Sequence, residues 1–129
     1  MDNSIQRGRQ TGQKIWGKAK FQKTEKYLGN LDPYLRDMAL LSWSNFARPV
    51  LDLKTRSLCM VAALAITGRA ELRTHTFGAL NNGATPEEIR EVIRQMLPYA
   101  GLANAIDAFA IANKAIAEHQ PISDRPKTS

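Results

Sequence analysis

From residue 30 to 119 the hydrophobic positions repeat at helical spacing, and nowhere do they alternate with the period of two that marks a half-buried strand. A polar first helix is predicted over residues 4–28, with Ile5, Ile15, Trp16, Ala19 and Tyr27 as scattered apolar points and Gly29-Asn30 as its end. Gly8, Gly12 and Gly17 lower its intrinsic helicity. Asp32-Pro33 opens a second helix carrying Leu35, Met38, Ala39 and Leu41, which Arg48-Pro49 breaks. Asp52 caps a third, through about Thr67, with Gly68 as its C-terminal cap. That helix is apolar over most of its circumference, so it is expected to be the most buried. A short helix over about 70–81 follows and ends at Gly83. Thr85-Pro86-Glu87-Glu88 is a capping box and starts a helix that Pro98 and Gly101 should interrupt at about Leu97. The last spans about 102–119, with Ile106, Phe109, Ala110, Asn113 and Ile116 at helical spacing. The pattern predicts an all-α domain of about six helices with short connections.

Composition sets limits without pointing to a chemistry. The 129 residues fit one domain and are 43% hydrophobic and 23% charged. The longest apolar run, Leu58 to Thr67, is too short to span a bilayer, and the basic N-terminus lacks the apolar stretch of a secretory signal. A cytoplasmic protein without membrane contact is expected. The formal net charge of +6 is concentrated at one end: residues 1–30 hold seven Lys and Arg against Asp2 and Glu25. Such an arm can bind nucleic acid. It contains no recognised motif and the remaining chain is nearly neutral, so no nucleic-acid partner is expected and a solvated helix face or oligomer contact is preferred. The organisation expected is a basic arm or helix over 1–30, a helical domain over 31–119 and a disordered tail over 120–129, whose QPISDRPKTS sequence cannot bury a core.

Few residues could carry chemistry. Cys59 is alone, which excludes an intramolecular disulfide, and it reads as a small buried hydrophobe. His75 and His119 lie far apart with no cysteine partner, so no metal site is expected. The phosphate-cradling glycine motifs and the GxSxG nucleophile motif are missing. His119 sits in the last turn of the final helix, where a cation complements the helix dipole. Glu71 and His75 are four apart and on a helix would share a face. A carboxylate beside an imidazole raises the imidazole pKa and can orient the ring. Spacing alone leaves two readings open, an acid/base pair or a solvated surface pair. Arg48, Arg56, Arg69 and Arg73 surround the pair in sequence, and guanidinium groups suit a carboxylate substrate.

The stretch TRSLCMVAALAITGRAELRTHTFGALNNGATPEEIREVIRQMLPYAGLANAIDAFAIA, from Thr55 to Ala112, resembles the carboxymuconolactone decarboxylase family. Upstream, RPVLDLKTRSL from Arg48 to Leu58 is similar to the family's RPGLxxxTRSL segment. The resemblance implies an alkylhydroperoxidase D-like all-α fold and a trimer or hexamer of identical chains. The peroxidase branch of that fold has a CxxCxxxH pattern whose cysteines correspond to Gly68 and Glu71 and whose histidine corresponds to His75. With both cysteines replaced, thiol peroxidase chemistry is not expected. The decarboxylase branch implies a cofactor-free reaction on a carboxylated lactone. The resemblance points to His75 as proton donor or acceptor, Glu71 as its orienting carboxylate, and Arg48, Arg56 and Arg73 as holders of substrate carboxylates. In place of the family's Gly-Glu-x-Trp-x-Arg-Pro this chain has Trp43-Ser44-Asn45-Phe46-Ala47-Arg48-Pro49. Ser44, at a position expected to face substrate, thus replaces a carboxylate. That departure keeps open a related proton transfer on another acid (isomerisation, lactone opening or a different decarboxylation) and, beyond it, a non-catalytic oligomeric binding protein.

Overall fold

Three of the predicted helix starts are closed by side-chain hydrogen bonds. The Leu35 N–H donates to Asp32 Oδ2 at 2.8 Å, and the Thr55 N–H donates to Asp52 Oδ1 at 2.7 Å. At Thr85 the bonding is reciprocal: Glu88 N–H donates to Thr85 Oγ1 at 3.0 Å and Thr85 N–H donates to Glu88 Oε1 at 2.9 Å. Each bond satisfies an amide that a helix start leaves without an intrahelical partner. The computed structural model describes residues 2–126. Its elements are α1 (Asp2–Trp16), α2 (Lys18–Leu31), α3 (Pro33–Trp43), a 3₁₀ turn (Ser44–Ala47), α4 (Leu53–Thr67), α5 (Leu72–Asn81), α6 (Pro86–Ala100) and α7 (Leu102–Glu118). No strand occurs among the described residues, so the fold class is all-α as expected. The chain forms two units, one running to Leu51 and resuming at Ile122, the other from Asp52 to Pro121.

In the first unit the single helix predicted over residues 4–28 is two. Gly17, at φ +91°, divides α1 from α2, a conformation that carries little cost only for glycine. Gly17 has no side chain to cap α2. The Asp124 carboxylate does so instead, accepting from the Lys18 N–H at 3.1 Å and the Ala19 N–H at 2.8 Å. The last three residues of the 120–129 tail lie outside the described residues. Ile15, Trp16, Phe21, Leu40 and Phe46 form the buried centre. Trp16 stacks on Phe21 with ring centroids 6.2 Å apart, and Trp43 meets Phe21 edge-on at 5.2 Å. The other two glycines of α1 serve this packing. A Cβ on Gly8 would overlap the Leu40 carbonyl, and one on Gly12 would overlap the Phe21 ring.

The second unit is built from α4 to α7, joined at Gly68 (φ +67°), Gly83 (φ +97°) and Gly101 (φ +85°). Its core contains Val61 and Ala65 of α4, Leu72 and Ala79 of α5, Ile89 and Ile93 of α6, and Ala108 and Ala112 of α7. Three expectations change here. First, α4 is buried along only one stripe, Ser57, Val61 and Ala65, and Cys59 is exposed. An all-round apolar sequence does not decide which side packs. Second, the buried stripe of α7 is Ala105, Ala108, Ala112 and Ala115, while Ile106 is 58% exposed. The small alanines allow close helix approach, which outweighs the larger side chains predicted to face inward. Third, α6 continues through Pro98 to Ala100. Proline there forfeits one hydrogen bond in the last turn, and the chain turns where Gly101 permits positive φ.

Candidate functional site

Helix α5 starts at Leu72, which makes Glu71 its N-cap rather than part of its wall. The helical turn between the two candidate residues is present nonetheless, since the His75 N–H donates to the Glu71 carbonyl at 3.2 Å. The Glu71 carboxylate is engaged elsewhere: its Oε1 accepts from Arg69 Nη2 at 3.1 Å in an exposed pair. Arg69 is the main reason that the Glu71 pKa lies below the ordinary carboxylate value, with a smaller pull from His75.

His75 departs from expectation in the direction of its shift. It is half-buried beside Leu72, Thr76 and Ala79, the buried stripe of α5. Burial lowers its pKa below the ordinary 6.5, and the opposing charge of Glu71 only partly offsets this. The pairing therefore does not raise the His75 pKa as its sequence spacing suggests. At neutral pH His75 is an uncharged imidazole with one N–H and one lone pair.

Arg73 lies on another face of α5. Its Nη2 is 2.7 Å from Glu118 Oε1, and its guanidinium sits 4.9 Å above the centre of the Phe77 ring. Phe77 in turn stacks on His119 at 6.1 Å, and His119 Nε2 is 2.7 Å from Asn81 Oδ1. Positions 73, 77 and 81 follow helical spacing, so this face clasps the end of α7. His119 is the C-cap of α7 and contributes a side-chain bond to α5 besides its place at a helix end.

Sequence reasoning did not foresee the bond that sets α4 against α5. Asn82 Nδ2 donates to the buried Ser57 Oγ at 2.9 Å. The signal for it was the Asn81-Asn82 pair at the end of α5, which local reading assigns to the turn alone. This bond ties the first half of α4 to the end of α5. Arg56, half-buried, adjoins Ser57. His75 lies two turns before Asn82, about 10 Å along α5 at 1.5 Å per residue.

Ser44 and Arg48 belong to the first unit. Ser44 Oγ donates to the Leu41 carbonyl at 2.5 Å, and the Arg48 N–H donates to the Asn45 carbonyl at 3.1 Å, closing the 3₁₀ turn. Phe46, at the family's tryptophan position, meets Trp16 edge-on with centroids 6.2 Å apart. Glu71, Arg73 and His75 are thus gathered at the start of α5, and Arg56 comes from the neighbouring helix of the same unit. Among the described residues no group of three or more His, Cys, Asp and Glu side chains could hold a metal ion. No helix among them is long and apolar enough to cross a membrane.

Comparison with known proteins agrees with the motif. Residues 23–114 match the carboxymuconolactone decarboxylase family. Nitrosuccinic acid decarboxylase of Metarhizium robertsii is 38% identical over 99 residues, which is 71% of this chain and 68% of that protein. The 4-carboxymuconolactone decarboxylase of Acinetobacter baylyi is 38% identical over 81 residues, 58% of this chain and 60% of that protein. With a family match across residues 23–114, most of its length, the chain belongs to the carboxymuconolactone decarboxylase family.

Proposed function

We propose that the protein decarboxylates a small organic acid whose departing carboxylate adjoins an electron sink, with His75 handling the proton and no cofactor taking part. The half-buried His75 at the start of α5 carries this reading. Two related decarboxylases act, by name, on nitrosuccinic acid and on 4-carboxymuconolactone. Their shared chemistry is simple. The bond to the carboxylate carbon breaks, carbon dioxide leaves, and the electron pair moves into a nitro group or a conjugated lactone. A proton then returns to carbon.

Burial leaves His75 neutral in the free protein. An anionic substrate placed against it raises its pKa, because the charged imidazole gains a partner. Substrate binding thus recruits the proton that the second half of the reaction consumes. Arg56 is proposed to hold a retained carboxylate or the sink oxygen, where negative charge develops, rather than the carboxylate that must depart. Arg73, whose Nη2 is held by Glu118, is the second candidate for that role. Glu71 is proposed to act on His75 through its charge. A second reading, a related proton transfer on another acid, is favoured by Ser44, whose hydroxyl donates to a backbone carbonyl where the family pattern has a carboxylate.

The test uses protein dialysed against a chelator and supplied with no cofactor. Carbon dioxide release from 4-carboxymuconolactone and from nitrosuccinate is followed, and light scattering gives the mass of the same preparation. Release from either acid by a trimer or hexamer is expected. Release from neither rejects decarboxylation of these acids, and a monomer mass rejects the ring that the family resemblance implies.

A further inference from the structure

The first unit contains a cleft that the proposed decarboxylation does not use. It opens among α1, α2 and α3 with a volume of about 500 Å³. That size suits a small ligand. Its lining side chains all end in polar or charged groups except Gly29, while their aliphatic stems supply nearly half of its surface. Arg9, Lys26 and Arg36 supply three cations against the single carboxylate of Glu25, and Gln13, Gln22 and Asn30 add carboxamides.

The cations are held in distinct ways. Arg9 Nε lies 3.1 and 3.0 Å from the two oxygens of Glu25, and its Nη1 donates to Gln6 Oε1 at 2.6 Å. This half-buried pair neutralises itself and braces α1 against α2. Lys26 then carries the charge surplus, and Arg36, paired with the neighbouring Asp37, adds a second cation where a ligand replaces that carboxylate. Arg36 Nε donates to Asp37 Oδ1 at 3.1 Å in a half-buried pair between chain neighbours. Its side chain crosses the α2 backbone at Gly29, with Nη1 3.3 Å from the place a Gly29 Cβ would occupy. Glycine at 29 therefore lets a planar, five-donor guanidinium lie along the cleft wall. Lys26 and the Arg36 guanidinium, once it exchanges Asp37 for ligand, match a group with two negative charges. The carboxamides can both donate to and accept from a neutral polar body.

We propose that this cleft binds a small metabolite bearing a dianionic oxyanion group, a phosphate monoester or a dicarboxylate, through Lys26 and Arg36. The experiment is a ¹⁵N amide titration of the full chain in 0.15 M salt with inorganic phosphate, with succinate, and with acetate as a monoanion control. Saturable shifts at Lys26, Gly29 and Asn30 are expected with at least one dianion, and acetate should bind at least tenfold more weakly. Phosphate alone identifies a phosphate monoester, succinate alone a dicarboxylate, and both the shared chemistry. Lys26→Gln and Arg36→Gln should each weaken binding about tenfold or more, the loss of one charge-assisted contact, with the rest of the spectrum unchanged. Lys26 is exposed, so its variant tests charge without disturbing packing. The proposal fails if neither dianion moves these amides, if acetate binds equally, or if both variants retain full affinity.

Discussion

Val50 is the most strained residue of the described chain: a β-branched side chain at φ +87°, 96% exposed. It occupies the glycine position of the RPGL pattern. Holding such a residue in the left-handed region costs about 1–3 kcal/mol, and glycine's extra unfolded-state entropy costs about 0.5–1 kcal/mol. Strain relief is the larger effect, so Val50→Gly should raise Tm by a few degrees in thermal melts. A lower Tm would show that the backbone there is not strained. His75 gives a second prediction. Its folded pKa lies below its unfolded value, so protonation favours the unfolded chain. Its contribution to stability is complete above about pH 6.5 and is lost as pH falls through that value toward the folded pKa. Melts of wild type and His75→Gln between pH 8 and 5.5 should show the steeper decline in wild type. Equal slopes would mean His75 is not buried. Residue chemistry of this kind was legible only where it is local. Asp32, Asp52, Thr85 and Gly68 cap helices through their own neighbours. The burial of His75, which reverses its expected pKa shift, comes from packing that i,i+4 spacing does not report.

At the scale of elements, helix existence was legible because hydrophobic period and caps agree. Helix orientation was not. The alanine face of α7 won over its isoleucines because small residues let helices close up, a preference invisible to a count of large apolar positions. The glycines of α1 show the same limit. Read singly they weaken a helix; in the structure they are where α2 and α3 come closest. The two effects can be weighed. Alanine for glycine gains about 1 kcal/mol of helix propensity, whereas overpacking costs about 1–3 kcal/mol and more against a backbone atom that cannot rotate aside. Gly8→Ala, facing the Leu40 carbonyl, should therefore lower Tm, and Gly12→Ala, facing the movable Phe21 ring, should lower it less. A rise in Tm for Gly8→Ala would place α1 away from α3.

For the molecule as a whole, the family was legible from a long motif. The seven cations of the first thirty residues lie on α1 and α2, where most are exposed as on a solvated helix face. Of these, Arg9 and Lys26 also line the cleft beside Glu25, a juxtaposition that composition alone does not report. The central claim is that His75 moves the proton in a decarboxylation that uses no cofactor. The most direct measurement is the turnover rate of cofactor-free His75→Gln against wild type on whichever acid releases carbon dioxide. A loss in kcat of about 10²-fold or more, with the amide spectrum of the fold retained, is predicted for an acid/base residue. A variant that keeps its rate within a few-fold of wild type would contradict the account.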